Sequence, residues 1–303
     1  MLITKPILAT DFDESKLVYP IIAMPKIDGV RGIHLYGRPA FTGRSLKPFG
    51  NSLVSNVFTN LEGIDGELTY GPITASDVCR TTTSVVNTHD DTRANSLILN
   101  AFDYITPTTI KLGYLERYAA LQEFLAYINR QNIHLVPYTT IYSLDELLSY
   151  ESSILAQGYE GVILRSPNGL YKNGRTTVKE GTYLRIKRFI QEDAVVLSLT
   201  EAMENANEAV TNALGRTERS THQSNLIPKG MLGSLVCRDI KSGAEITVGS
   251  GELSHELRTY YWNNPDQLVG RTISYKFFPK GVKDKPRFPT FVAVRPEEDL
   301  VNE

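Results

Sequence analysis

The chain has 303 residues, of which 41% are hydrophobic and 22% are charged, and this composition is typical of a soluble globular protein with one large or two smaller domains. The formal net charge of −2 excludes a uniformly basic nucleic-acid coat, although a local basic channel is compatible with it. The two cysteines, Cys79 and Cys237, are too few for a disulfide framework or a zinc site with several thiolates, which favours a reducing compartment.

The chain begins without a long apolar stretch, and nowhere does it contain a run of about 18 apolar residues. We therefore expect neither a signal peptide nor a membrane span. The expected location is cytoplasmic, either in a bacterial or host cytosol or in the replication compartment of a virus.

Strands and helices are mixed over roughly the first 190 residues. Strands are predicted, in chain order, over residues 19–24, 64–70, 97–104 and 160–165. Residues 114–130 carry apolar side chains at steps of three and four, which predicts an amphipathic helix. Ser143 and Glu146 form a capping box at the start of a second helix, which we expect to end near Gly158.

The pattern changes after Lys187. Short predicted strands separated by glycine-rich turns indicate a small β-barrel. A polar segment, residues 203–229, lies between the first two of these strands and cannot bury much surface by itself. A solvated loop is the simpler interpretation of this segment, although polar loops of this length are uncommon unless they are functional or disordered.

The hexapeptide at residues 26–31, Lys-Ile-Asp-Gly-Val-Arg, follows the first apolar run. A neutral amine is a good nucleophile towards phosphorus, and we expect nearby cations to lower the pKa of Lys26 from its free value of roughly 10.4. Gly29 would let the backbone approach a phosphate, and Arg31 could hold that phosphate through paired hydrogen bonds. The hexapeptide alone has a simpler interpretation, because Asp-Gly is a good turn at the end of a strand.

Further residues along the chain favour the chemical interpretation. Glu67 and Glu160 are separated carboxylates of the kind that hold Mg²⁺ partly through water. Arg185 and Lys187 alternate along a predicted strand and could neutralise charge at a transferring phosphorus atom. Phe102 could stack on a base. Each of these residues alone also fits a core or surface position, so their joint occurrence in this order is the argument for a nucleotidyl-transfer site.

In this order the motifs resemble those of the ATP-dependent DNA ligases, within the superfamily of covalent nucleotidyltransferases. The similarity extends along the whole chain, over segments 3–6, 25–29, 102–104, 171–181, 219–222, 248–251 and 286–289.

The resemblance implies that Lys26 becomes a covalent lysyl-AMP, and that Asp28 and Arg31 complete the catalytic motif. It implies that ATP is the cofactor, with Mg²⁺ (or Mn²⁺) held at Glu67 and Glu160. The nucleotide contacts implied are Met24 on the adenine edge, Phe102 on the adenine face, Glu67 and Glu160 at the ribose, Arg44 at the sugar, Arg185 and Lys187 at the AMP phosphate, and Arg287 and Arg295 at pyrophosphate. The DNA contacts implied are Arg31, Arg44, Lys172, Arg175, Arg216, Arg219 and Lys229.

Three positions depart from the pattern of the family. The usual serine before Arg44 is Gly43, and the usual lysine at position 185 is an arginine, which is less able to change its protonation state. Leu300 stands where a basic residue is usual in minimal viral members, which puts a pyrophosphate contact at the C-terminal end in doubt.

The polar segment at 203–229 matches the place where minimal viral ligases project a β-hairpin latch around duplex DNA. The resemblance favours a latch over an idle loop, and Arg216, Arg219 and Lys229 could neutralise phosphates without sequence preference. A basic groove is also expected around residues 165–188, where cations outnumber acids although the whole chain is nearly neutral.

We therefore predict an α/β (α+β) nucleotidyltransferase domain at residues 1–189, followed by an all-β OB-fold domain at 190–303 that carries the latch. The predicted function is ATP-dependent sealing of nicked duplex DNA by a monomer, in replication, repair and recombination. An RNA ligase or a GTP-using capping enzyme is the nearest alternative. A non-catalytic DNA-binding protein is a more distant one, and the presence of Lys26, Glu67, Glu160 and Lys187 argues against it.

Overall fold

The structure is a computed structural model that describes residues 4–212, 215–278 and 286–296. The chain divides into two compact units, Met1–Lys187 and Arg188–Glu303. Leu300, the departure noted at the C-terminal end, lies outside the described residues.

The first unit mixes helices and strands. Its α-helices are α1 (Leu53–Val57), α2 (Val78–Asn87), α3 (Tyr114–Ile128) and α4 (Leu144–Ala156). Its strands are β1 (Ile7–Leu8), β2 (Thr10–Asp11), β3 (Ile21–Lys26), β4 (Val30–Ile33), β5 (Ile64–Thr69), β6 (Ile98–Tyr104), β7 (Ile133–Leu135), β8 (Thr139–Ile141), β9 (Gly161–Arg165), β10 (Gly174–Arg175) and β11 (Tyr183–Ile186).

Two larger sheets organise this unit. One has the strand order β2-β11-β9-β3-β8, and the other has the order β4-β5-β6-β7. In the first sheet β3 pairs antiparallel with β9, so that Lys26 lies opposite Gly161. In the second sheet β4 pairs antiparallel with β5, so that Arg31 lies opposite Glu67. The apolar run of β3 is buried almost throughout because the strand lies inside its sheet, which places Lys26 at the edge of the core.

The two longest helices begin close to where the sequence predicts them. In α4, the Ser143 hydroxyl accepts a hydrogen bond from the Glu146 N–H at 3.2 Å, as a capping box requires. The Glu146 carboxylate, however, accepts from the N–H of Tyr142 rather than from Ser143. In α3, the buried side chains include Tyr114 and Arg117, so the buried face is not the purely apolar one that the sequence predicts.

The second unit is a closed five-stranded barrel with the order β12-β15-β16-β18-β17. Its elements are β12 (Ile190–Asn205), β13 (Ala209–Thr211), β14 (Thr217–Arg219), β15 (Leu226–Asp239), β16 (Glu245–Gly249), α5 (His255–Asn263), β17 (Thr272–Phe278) and β18 (Arg287–Val294). Alternating inward-facing residues of these strands fill the barrel, among them Val196, Leu235, Val248 and Tyr275, each at most 1% exposed.

The polar segment at 203–229 contains two sets of paired strands. The ladder between β12 and β15 continues outward to the pair Asn205 and Leu226, and β13 and β14 then form a smaller hairpin. Asn207 is buried there, and its side-chain amide donates to the carbonyls of Ser220 and His222 at 3.0 and 2.8 Å. We call residues 203–229 the arm. Side-chain amides join its described residues, which have little apolar surface to bury.

Among the helices that the structure describes, none is both long and apolar enough to cross a membrane.

Candidate functional site

A cavity of about 270 Å³ in the first unit is lined by residues of both sheets. Nine of the residues singled out in the sequence line it: Met24, Lys26, Gly29, Arg31, Arg44, Glu67, Phe102, Arg175 and Arg185. They come from distant parts of the chain, and the meeting of the two sheets brings them together.

Lys26, at the end of β3, is ion-paired with Glu160, which also binds Lys187 through its other carboxylate oxygen. Glu160 immediately precedes β9, and its N–H donates to the carbonyl of Lys26 at 3.1 Å, which fixes the two residues side by side. Glu160 therefore belongs to the site through its contact with Lys26, and Lys187 belongs to it through its contact with Glu160.

The charge environment of Lys26 differs from the one expected. Burial acts to lower the pKa of Lys26, but Glu160, Glu67 and Asp28 outweigh that effect and leave the pKa above its ordinary value. The expectation that nearby cations depress this pKa is wrong, because the effect of the surrounding carboxylates prevails. For Glu160, burial acts to raise the pKa, but Lys26 and Lys187 bring it below its ordinary value.

Glu67 lies on β5, half-buried in the wall of the cavity. Burial raises the pKa of its carboxyl group to about 7, with Glu160 and Asp28 adding to the rise against the opposing effect of Lys26 and Arg31. A carboxylate that is this costly to ionise would gain from a cation placed beside it.

The donor set fits a divalent cation that takes most of its ligands from phosphate and water. No group of three or more His, Cys, Asp or Glu side chains within the described residues could hold a metal ion by itself. Mg²⁺ usually binds one or two carboxylates and keeps several waters in addition to substrate phosphates. Glu67 suits that role, and Glu160 suits it only in competition with its two lysine partners.

Arg31 is held by a buried carboxylate that the sequence analysis did not select. Its Nε and Nη2 donate to the two oxygens of Asp65 at 2.5 and 2.6 Å, and Asp65 has a fully buried side chain. The Tyr171 hydroxyl donates to the same carboxylate at 3.0 Å. Asp65 lies two residues before Glu67 on β5, so the period of a strand was the signal that could have found it.

Gly29 is a point of close backbone approach between the lysine and the arginine. A Cβ atom at this position would lie 2.2 Å from the carbonyl oxygen of Leu68 and 2.9 Å from Cγ of Glu67. Only glycine fits there. Asp28 beside it is buried and acts to raise the pKa of both Lys26 and Glu67.

Three apolar side chains of one cluster line the cavity, Phe102 of β6, Met24 of β3 and Ile163 of β9, and we call the space beside them the slot. Phe102 is an extra residue in its strand, because the register between β5 and β6 runs from Asp65 opposite Asp103 directly to Gly66 opposite Ala101. Such a bulge re-aims a side chain. Ile163 was missed by the sequence analysis, although it lies opposite Met24 in the pairing of β3 with β9 and only three residues after Glu160.

The cationic residues near the cavity have separate partners. Arg185 donates to Asp11 at 2.7 Å, whereas Lys187 binds Glu160, so the two cations that share a strand face in the prediction pair with different carboxylates.

Arg175 donates to the backbone carbonyl of Ala9. Lys172, outside the cavity lining, is paired with Glu180 at 2.7 Å.

The other selected residues belong to the second unit. Arg295 follows β18 and pairs with Asp193 at 2.9 Å, and the guanidinium of Arg287 lies 5.4 Å from the ring centre of Phe288.

Arg216 and Lys229 are exposed on the arm. Arg219 donates to the carbonyl of Asn207, so it also takes part in holding the arm together.

Two family models match the chain. Residues 8–187 match the model described as ATP dependent DNA ligase domain, and residues 228–295 match the model described as DNA ligase OB-like domain. No curated protein is matched by sequence.

The chain is also similar to solved structures of DNA ligases. The chain is similar to the crystal structure of Chlorella virus DNA ligase-adenylate, with 27% identity over 97% of this chain and 100% of that one and a TM-score of 0.53. It also shares the fold of a Lig E DNA ligase, with 21% identity over 96% of this chain and 99% of that one and a TM-score of 0.72.

Proposed function

The chain belongs to the ATP-dependent DNA ligase family, and on that basis we propose that it seals nicks with a 5′-phosphate and a 3′-hydroxyl in duplex DNA, through AMP carried covalently on Lys26. It is a DNA ligase with a nucleotidyltransferase domain followed by an OB-like domain, as predicted from the sequence. The observation that carries the finer proposal is the position of Lys26 in one cavity with Glu67, Arg31 and Phe102.

In the first step, the Lys26 amine attacks the α-phosphorus of ATP, forming a phosphoramidate bond while pyrophosphate leaves. Because the pKa of Lys26 is raised by its carboxylate neighbours, the amine must lose a proton before it can attack. The similar Chlorella virus structure is that of a ligase-adenylate, which supports a covalent nucleotide in this chain too.

The adenine is assigned to the slot beside Phe102, where the ring can stack on one face of the base. The backbone of Met24 at the end of the slot is suited to reading the base edge. Glu67 is assigned to the ribose and to Mg²⁺, or to Mn²⁺ in its place. A bound divalent cation would supply charge neutralisation at the phosphates.

In the later steps, AMP passes to the 5′-phosphate of the nick, and the 3′-hydroxyl then attacks that phosphorus and expels AMP. Arg31, Arg44 and Arg175 are suited to hold the 5′-phosphate, since all three line the cavity that holds Lys26. Arg185 and Lys187 are assigned to the AMP phosphate. The contribution of these residues is orientation and electrostatic stabilisation.

The arm is assigned the role of a latch on duplex DNA. Its strands extend beyond the barrel, and Arg216 and Lys229 are exposed along it. Contacts of this type bind the phosphate backbone without sequence preference and weaken with salt. We assign Lys172 to the DNA backbone and Arg287 and Arg295 to pyrophosphate, and we expect the protein to act as a monomer in the cytosol or a viral replication compartment.

The decisive experiment is transfer of radiolabelled AMP from ATP to the protein, followed by gel sealing of a 5′-phosphorylated nick. We expect wild type to label and seal, and Lys26→Ala to do neither while still binding duplex DNA. Lys16→Ala is the control, because Lys16 forms only an exposed pair with Asp13. Labelling by GTP alone would contradict the proposal in favour of a capping enzyme, and sealing that requires RNA on the 3′-hydroxyl side would indicate an RNA ligase.

A further inference from the structure

We propose that the buried ion pair between Asp103 and Arg165 is a positioning pair that holds the two walls of the nucleotide slot at the spacing of one stacked base. This inference rests on the proposed function, because it assigns the slot to the adenine of ATP. Neither residue was selected from the sequence as part of the site.

The pair joins the two sheets of the first unit. Asp103 lies on β6 of the four-stranded sheet, and Arg165 lies on β9 of the five-stranded sheet. Nη1 of Arg165 donates to Oδ2 of Asp103 at 2.9 Å, and the side chains are only 2% and 0% exposed. An ion pair this well shielded from water is weakly screened and holds its geometry firmly.

Each member of the pair is next to a wall of the slot. Asp103 follows Phe102 directly, at the bulge that aims the phenylalanine ring. Arg165 is two residues after Ile163, so the side chains of Ile163 and Arg165 leave β9 on the same side, and both residues line the cavity. A change in the separation of Asp103 and Arg165 must therefore change the gap between Phe102 and Ile163.

A second set of contacts connects the pair to the slot. The guanidinium of Arg165 lies 5.5 Å from the ring centre of Phe102 and 4.5 Å from that of Tyr114. The Tyr114 hydroxyl donates to the carbonyl of Phe102 at 2.9 Å and lies 3.0 Å from the sulfur of Met24. The support behind the slot thus contacts Phe102 and Met24 directly.

The arrangement is poorly suited to a purely stabilising role. Asp103 also binds Arg117 of α3, at 2.7 Å, so one carboxylate neutralises two buried arginines. Nε and Nη2 of Arg165 are buried with no hydrogen-bond partner among the described residues. Such a cluster costs desolvation energy that apolar residues of the same size would avoid. We infer that the cluster serves to fix the distance between the two sheets.

Arg117 provides a matched control. It binds the same carboxylate and is equally buried, but it does not line the cavity, and its guanidinium lies over the ring of Tyr114 rather than that of Phe102. The experiment compares Arg165→Met with Arg117→Met. Arg165→Met removes the ion pair with Asp103 and keeps most of the side-chain volume. Arg165→Lys retains the charge with a single donor group, and it is the variant to use if Arg165→Met does not fold.

The measurement is single-turnover labelling of Lys26 over a range of ATP concentrations, with thermal unfolding of each variant. For Arg165→Met we expect the half-saturating ATP concentration to rise about tenfold, while the maximal labelling rate falls by less than about threefold. For Arg165→Lys we expect a smaller rise. For Arg117→Met we expect a lower unfolding temperature and an unchanged ATP dependence.

Two results would overturn this inference: an unchanged ATP dependence in Arg165→Met and Arg165→Lys, or equal shifts in the Arg165 and Arg117 variants, which would indicate a general structural effect. Failure of the proposed function is distinguishable from both, because wild type itself would then not be labelled by ATP.

Discussion

Lys26 and Glu160 form an ion pair at the ends of neighbouring strands, and Lys187 occupies the second oxygen of the same carboxylate. The Glu160 side chain is 4% exposed and lies between two ammonium groups that are themselves largely shielded. One carboxylate therefore holds together the proposed nucleophile and a proposed phosphate-binding cation.

Glu160→Gln should lower the free energy of unfolding by about 3 kcal/mol, since it removes the carboxylate that pairs with two shielded ammonium groups. Urea unfolding at pH 7 measures this effect. Asp13→Asn, which breaks the exposed pair with Lys16, is the control and should cause no measurable change. Equal effects of the two substitutions would contradict a shared role of Glu160 in pairing both lysines.

The destabilisation caused by Glu160→Gln should depend on pH. The pKa of Glu160 is lowered in the folded protein from an ordinary value of 4.5, so its ionisation stabilises the folded state at any pH above that value. The contribution of this ionisation to the difference between wild type and Glu160→Gln should therefore shrink as the pH falls below about 4.5. A difference that grows in acid would show that the sign of the pKa shift is wrong.

Asp65→Asn should impair nick sealing strongly, by about 100-fold, because Arg31 loses the carboxylate that orients it through two hydrogen bonds. Single-turnover sealing of a nick by pre-adenylylated enzyme is the measurement. Tyr171→Phe removes only the hydroxyl that donates to the same carboxylate. It should cost about 1 kcal/mol in stability and leave sealing nearly unchanged. Similar sealing rates for both variants would argue against orientation by Asp65.

Gly29→Ala should abolish labelling of Lys26, because the added Cβ would clash with the carbonyl of Leu68 and with Glu67. Relief of the clash would separate Lys26 from the carboxylates around it. The control is Gly249→Ala in the barrel, where the nearest atom to an added Cβ is 3.6 Å away. Normal labelling of Gly29→Ala would show that the backbone is free to move at this position.

Replacing residues 206–225 with Asn-Gly should weaken nick binding at least about tenfold and leave labelling of Lys26 unchanged. The design relies on the pairing of Asn205 with Leu226, which a two-residue turn can close. The removed residues contain two arginines and two glutamates, so the formal net charge stays the same.

Electrophoretic mobility shifts with a nicked duplex at several salt concentrations measure the effect of removing the arm. The substitution Leu235→Ala in the barrel core is a useful comparison, because it disrupts packing without touching the arm. Loss of labelling in the arm variant would mean that its second domain had misfolded, and unchanged binding would argue against a latch.

Much of the candidate site could be selected from short motifs. Lys26, Glu67 and Phe102 each lie at a strand or its bulge, within two residues of a glycine or an acid, and local chain geometry is largely encoded in nearby residues. The order of these motifs along the chain gave the resemblance to the family. The structure places these residues in one cavity, which motifs alone could not establish because they are far apart along the chain.

Other features were missed for physical reasons. The arm was expected to be a latch or a loop with little surface to bury, and its order comes from the continued ladder of β12 and β15 and from buried amides such as Asn207. Arg165 was noted only as part of a basic stretch, and its burial depends on a carboxylate 62 residues away. A sequence pattern shows that a residue is charged, but it does not show which charge will lie opposite it.

The sequence by itself determined the chemistry available to this protein: a lysine in a turn-prone motif, separated carboxylates and an aromatic residue that can stack on a base. It also determined where the second unit begins, through the change in pattern after Lys187. Only the tertiary structure decided the charge state of Lys26, the partner of Arg31 and the tie between Asp103 and Arg165. Electrostatic energies depend on the distance and burial of groups that the chain brings together from far apart, so they are set when the two sheets meet.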